Sequence, residues 1–231
     1  MTNRIRNISL ILGLFSLAAF QQLNAQEERS LPDFDAVSVM GNIEVYLEKG
    51  ESEKAVIYTY DIEEDKLNVF VRNNTLKLQL INPSTYNGRG AKVYITYRQL
   101  RGIKAHAGAR VISEETITGD KLEVRGASGG QLSLKVAVNA LNAGATEGAL
   151  VEIEGTTESL EVSASTGGQF EGDDLESKRA YVKASTGGVA NIVAREKLDA
   201  SANTGGSIAY SGDPAEKQTR TLLSGEIRKA N

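Results

Sequence analysis

The sequence has no cysteine, no tryptophan, three prolines and a single histidine in 231 residues. Without cysteine there is no disulfide framework, no thiolate metal site, no cysteine nucleophile and no acylated cysteine anchor. One histidine, His106, excludes any site built on two imidazoles. There is no excess of base either. The formal charge is -4 and no basic stretch is clustered to meet a phosphate backbone, which sets nucleic acid aside as a partner. No segment places apolar residues at three-to-four spacing, so no amphipathic helix is expected. What is present is an ordinary globular balance, 24% charged and 40% hydrophobic.

The one long hydrophobic run is Ile8 to Phe20, too short to cross a bilayer, which takes ~20 apolar residues. Arg4 and Arg6 precede it, and Gln21-Gln22-Leu23-Asn24-Ala25 follows, ending in a small residue. That order reads as a signal peptide over 1–25, cut after Ala25. The mature chain, 26–231, is then expected to be exported, with no membrane span. Lacking disulfides, it must be held by packing and backbone hydrogen bonds, for which its length suffices.

Composition shifts near residue 101. Residues 26–101 carry Phe34, Tyr46, Tyr58, Tyr60, Phe70, Tyr86, Tyr94 and Tyr97, whereas residues 102–231 have only Phe170, Tyr181 and Tyr210. Alternation of period two dominates the first part: Ile43, Val45 and Leu47 share one face of a strand, and Ala55 to Tyr60, Leu67 to Arg72, Thr75 to Ile81 and Ala91 to Tyr97 read likewise. The loop Asn82 to Gly90 presents Tyr86 and Arg89, weak candidates for interaction.

The second part, 102–212, is a repeat. The glycines Gly130, Gly148, Gly168, Gly188 and Gly206 recur every 18 to 20 residues. Two places before each stands a hydroxyl, Ser128, Thr146, Thr166, Thr186 and Thr204, and four before stands Gly126, Gly144, Ala164, Ala184 or Ala202. Two places after each stands Leu132, Leu150, Phe170, Ala190 or Ile208, and an earlier copy sits at Ala107-Gly108-Ala109. A unit this small cannot bury its own apolar face and must stack on the next. The expected fold is all-β: a right-handed parallel β-helix, or β-solenoid, with about 18–20 residues per coil and six repeated coils. Positive backbone angles are expected at the glycine corners, and the hydroxyls are expected to form a ladder satisfying corner backbone groups. Residues 213–231, charged, are expected to form a terminal cap.

The corners carry no chemistry of their own. A calcium β-roll needs an aspartate after its glycines, whereas Gln131, Ala149, Gln169, Val189 and Ser207 follow here, and no phosphate loop's Gly-Lys-Ser/Thr occurs. Glu171, Asp173 and Asp174 form the densest acidic cluster of the repeats, in the coil interrupted by Gly172. A pair of carboxylates can hydrolyse glycosides, but neighbours in the sequence supply neither a base nor an aromatic sugar platform, so these three are weak interaction candidates only. His106 has no serine or acid context and reads as a surface residue. No catalytic residue, cofactor or metal site is assigned.

Several segments together resemble the auto-transporter adhesin family with the head GIN domain: Phe34-Asp35-Ala36-Val37 through Gly41-Asn42-Ile43-Glu44-Val45, Lys92-Val93-Tyr94-Ile95-Thr96 before Leu100-Arg101-Gly102-Ile103, and the Thr-Gly-Gly repeats running to Tyr210-Ser211-Gly212-Asp213-Pro214. The resemblance covers residues 34 to 228. It implies a β-helical domain in the periplasm or at the cell surface of Bacteroidetes-type bacteria, with adhesion as its role. The expected function is non-enzymatic adhesion or surface interaction with a glycan or protein. Two alternatives stand beside it: a carbohydrate-active β-helix enzyme using the acidic cluster, and a structural envelope protein with no ligand.

Overall fold

The structure, a computed structural model, describes residues 26–59, 66–81 and 90–230. The segment 1–25, Tyr86 and Arg89 lie outside the described residues. Where the repeats lie, alternation becomes long bent strands: β9 (Arg110–Ala127), β10 (Gln131–Thr146), β11 (Leu150–Ser165), β12 (Gln169–Ser185) and β13 (Val189–Asn203). Each pairs in parallel with the next, giving a parallel β-solenoid. The pairing stacks equivalent side chains inward. Leu122, Leu141, Leu160, Ala180 and Leu198 form one buried column and Val124, Ala143, Val162, Val182 and Ala200 the next. Burying each leucine contributes about 2 kcal/mol.

The corners are two-residue turns with both central residues at positive φ: Ser128 (49°) and Gly129 (73°), Thr166 (50°) and Gly167 (70°), Thr186 (49°) and Gly187 (71°), Thr204 (46°) and Gly205 (73°). This is the type I′ geometry. Each turn is closed by the following residue, as where the Gly168 N–H donates to Ser165 O at 2.8 Å. The positive angles therefore fall on the hydroxyl residue and the first glycine. Gly130, Gly168, Gly188 and Gly206 are glycines for a different reason: a Cβ on Gly188 would lie 2.3 Å from Ala164 O, and the others meet backbone in the same way.

Two expectations need correction. The copy around Gly148 is displaced by one residue: Glu147 (φ 53°) and Gly148 (71°) are the turn, Ala149 follows it, and Thr146 ends β10 opposite Ser165. Matching glycine to glycine misplaced it, because Ala149 takes the position that Gly130 and Gly168 hold in neighbouring coils. It does so against Gly126, where most other coils have alanine. The inward residue is likewise Val151, not Leu150, and the small residue is Ala145, not Gly144. The corner backbone is also satisfied by backbone. Gly148, Gly167 and Gly187 N–H groups donate to Thr166, Thr186 and Thr204 carbonyls of the next coil, each at 3.2 Å. Ser128, Thr166, Thr186 and Thr204 side chains are exposed.

The first part of the chain joins the same stack, but out of sequence order. β2 (Ala36–Met40) and β3 (Ile43–Lys49) make a rung lying between the rung of β6 (Thr75–Leu80) and β7 (Ala91–Tyr97) and that of β8 (Gly102–His106) and β9. Antiparallel strands close this end: β4 (Lys54–Thr59) on β7, β1 (Gln26–Ser30) on β4, and β5 (Leu67–Arg72) on β6. Glu53, buried beneath them, receives the Arg98 Nε–H at 2.6 Å. At the other end β14 (Ser207–Ser211) is followed by β15 (Glu216–Leu222) on β13 and β16 (Glu226–Lys229) on β14. There the inward columns end on Lys217, Thr219 and Thr221, opposite Leu198, Ala200 and Ala202.

Tyr97 is 2% exposed and its hydroxyl has no hydrogen-bond partner among the described residues. Because an unsatisfied buried hydroxyl costs about 1 to 3 kcal/mol, Tyr97→Phe is expected to equal the parent or exceed it by about 1 kcal/mol in urea unfolding. A clear loss would mean that the hydroxyl is bonded. Burial, with the Glu115 charge adding to it, pushes the Tyr97 pKa up from 10.0 to about 12. Since the folded value is raised, this residue's contribution is intact below pH 10 and falls as pH rises from 10 towards 12. Tyr97→Phe should therefore flatten the alkaline decline in Tm over that window.

Candidate lateral binding face

On the outward side of one face, parallel pairing builds a single column from strands far apart in sequence. Tyr94 on β7 lies opposite Tyr46 on β3, and Tyr46 opposite Ile112 on β9. The column continues through Ser133 on β10 and Glu152 on β11 to Glu171 on β12. Four rungs separate Tyr46 from Glu171, about 19 Å at the usual strand spacing.

The aromatic end is a tyrosine ladder. Tyr46 and Tyr94 rings stack with centroids 5.1 Å apart and planes 20° from parallel, and Tyr58 of β4 meets Tyr94 edge-on at 5.9 Å and 80°. All three are half-buried. The Lys92 ammonium sits 4.5 Å from the Tyr46 centroid and 5.6 Å from that of Tyr94. A hydrogen bond to Tyr94 pushes the Lys92 pKa above its ordinary value, with burial opposing it. The Tyr46 hydroxyl donates to Glu44 Oε1 at 3.1 Å, which orients the ring. Rings held in this way offer apolar surface and phenolic oxygens together, the combination that stacks on a sugar ring and hydrogen-bonds its hydroxyls.

Beyond Ile112 the face sinks into a groove of about 370 Å³ lined by Glu114, Lys135, Glu152, Glu154, Glu171, Asp173 and Asp174. The cluster expected from sequence is thus part of a larger acidic surface. Between Glu152/Glu171 and Gly155/Leu175, β12 has three residues against two on β11, a bulge that turns Asp173 and Asp174 outward, both exposed. Gly172 fits there because the Phe170 ring occupies the space, 2.7 Å from where a Cβ would be. Lys135 bridges to Glu154 at 2.9 Å, which raises the lysine's pKa. Among the described residues, no group of three or more His, Asp or Glu is arranged to hold a metal ion. His106 is half-buried on β8 between Met40 and Ala127, away from this column.

The acidic groove itself has no aromatic side chain in its lining, and the tyrosines stand about 19 Å further along the column. Tyr46 and Tyr94 are distant from Glu171 in sequence and share its column only through the stack. A signal did exist: Glu44-Val45-Tyr46-Leu47 and Lys92-Val93-Tyr94-Ile95 have the same pattern, and identical patterns in a solenoid mark partners in neighbouring rungs.

Residues 33–214 match the family model described as "putative auto-transporter adhesin, head GIN domain". The chain belongs to this family. Solved structures similar to this head GIN chain include a putative adhesin from Bacteroides fragilis, 21% identical, with a TM-score of 0.78 over 89% of this chain and 96% of that one. A putative adhesin from Parabacteroides merdae and a putative lipid binding protein from Parabacteroides distasonis are each 19% identical, with TM-scores of 0.68 over 90% of this chain and 96% of theirs. At these identities the likeness establishes the head GIN fold alone. No curated protein matches the sequence.

Proposed function

We propose that this head GIN chain is an exported, non-enzymatic adhesion module that binds an extended surface glycan along the face running from Tyr58 to Glu171. The observation that carries this reading is the tyrosine ladder in line with the acidic groove on a rigid stack. A rod preorganised by backbone ladders loses little freedom on binding, and successive sugars can span successive rungs. The carboxylates serve here as hydrogen-bond acceptors for hydroxyls. A carboxyl that delivers a proton to a glycosidic oxygen is normally sheltered from water, whereas Glu171, Asp173 and Asp174 are all exposed. Membership of the adhesin family and the signal-type segment 1–25 support export to the cell surface.

The test is a glycan array followed by titration calorimetry on the best ligand. Tyr94→Ala is expected to weaken binding about tenfold, the effect of losing about 1.4 kcal/mol of stacking. A Tyr94→Ala variant that binds as well as the parent, or an array with no ligand of any class, would sink the reading. Release of new reducing or unsaturated ends would favour the enzymatic alternative.

A further inference from the structure

The end of the stack carries a feature that the lateral face does not explain. All seven residues of β15 are exposed, and among the described residues β15 pairs with β13 on one side only, so its outer edge presents N–H and C=O groups with no strand partner there. Protein edges of this kind are usually blunted by proline, a bulge or an inward charge. Glu216–Leu222 contains no proline and pairs with β13 without a break in register. Its inward charge, Lys217, is folded over Tyr210, 3.3 Å from the hydroxyl and 5.8 Å from the ring centroid. At the following corner, where other coils place small or polar residues, Leu222 and Leu223 are 67% and 71% exposed. Leu223 also holds a φ of 46°, unfavourable for a large side chain.

We infer that this edge is a self-association surface whose partner is β15 of a second copy of the chain, paired antiparallel about Gln218. The sequence of the strand is self-complementary in that register. Outward residues meet as Gln218 with Gln218, Glu216 with Arg220, and Leu222 with Pro214; inward residues meet as Lys217 with Thr219 and Ala215 with Thr221. Opposite charges face each other at both ends, no like charges are opposed, and Leu222 gains an apolar neighbour. Antiparallel pairing about a two-fold axis is the isologous arrangement, which closes at a dimer and does not propagate into a fibre. The dimer would carry two lateral faces on one continuous rod, so its avidity for a polymeric ligand could exceed that of either face. The inference does not rest on what that face binds.

Charge reversal tests it. Glu216 and Arg220 already contact Lys197 (3.0 Å) and Asp199 (3.5 Å) within the chain, but these pairs are exposed and contribute little to folding, so substitution leaves the fold intact, as circular dichroism would verify. In sedimentation velocity across a wide concentration range, the parent should reach twice the monomer mass. Glu216→Arg and Arg220→Glu alone should each lower the population of dimer at least tenfold by opposing like charges. The double variant Glu216→Arg/Arg220→Glu should restore it. A parent that stays monomeric, single variants that dimerise as the parent does, or a double variant that fails to recover would each overturn the inference. A monomeric parent that floats with anionic lipid vesicles, and ceases to do so on Leu222→Ser/Leu223→Ser substitution, would assign the leucine corner to a membrane surface instead.

Discussion

Gly188→Ala should destabilise the protein by about 3 kcal/mol, well above the cost of Gly187→Ala one residue earlier. The two glycines are needed for different reasons. At Gly187 the backbone angle is +71° and nothing lies within 4 Å of a new Cβ, so alanine pays only for a left-handed conformation, about 1 kcal/mol. At Gly188 the angle is ordinary, but the Cβ would stand 2.3 Å from Ala164 O, 2.4 Å from its carbonyl carbon and 2.7 Å from Ser165 N. Those atoms belong to the rung beneath and cannot rotate away as a side chain can. The rungs must part, and with them the Gly167 N–H to Thr186 O and Val189 N–H to Gly168 O bonds. The natural exception predicts a rescue. Ala149 occupies the same place over Gly126, so Gly188→Ala/Ala164→Gly should recover part of the loss. Urea denaturation of the three variants measures all of this, and equal midpoints for Gly187→Ala and Gly188→Ala would contradict the corner geometry.

Phe170→Ala should cost about 4 kcal/mol. Phe170 is fully buried, and its column neighbours are Val151 below and the small Ala190 above. Its ring spreads over Gly172, filling the volume that Leu134, Ile153 and Ile192 fill elsewhere along the adjoining column. Removing it leaves a void that a stiff stack of strands cannot collapse into, so the cavity term adds to the lost transfer energy. Tyr181→Ala, on the same strand but 39% exposed, should change stability by less than about 1 kcal/mol. If the Phe170 variant unfolds at the urea concentration of the parent, the column assignment is wrong. Because the bulge at Asp173 and Asp174 rests on Phe170 through Gly172, the same substitution should also loosen the acidic groove.

How far the sequence could be read differs along the chain. The repeats from Ser128 to Gly206 were legible because a solenoid writes its period directly into spacing, and a Thr-Gly-Gly corner leaves few alternatives. The slip at Thr146 and Gly148 arose where Ala149 and Gly126 exchange roles: a glycine may mark a positive φ or a lack of room, and only the neighbouring rung distinguishes them. The acidic residues Glu171, Asp173 and Asp174 could be seen as local neighbours. Their continuation into Glu114, Glu152 and Glu154, and the tyrosine ladder beyond, could not, since those contacts cross strands and leave no local trace.

The fold class, a β-solenoid, was written in the sequence, because alternation sets which side chains point inward and an 18 to 20 residue period forces the units to stack. Pairing across the stack, by contrast, is what slides the rung of β2 and β3 between those of β6 and β7 and of β8 and β9. Any of these short alternating strands would satisfy the same hydrogen bonds and bury the same apolar face, so local pattern leaves their order open. That insertion is also what brings Tyr46 beside Tyr94 and aligns both with Ile112 and Glu171, and so it creates the lateral face.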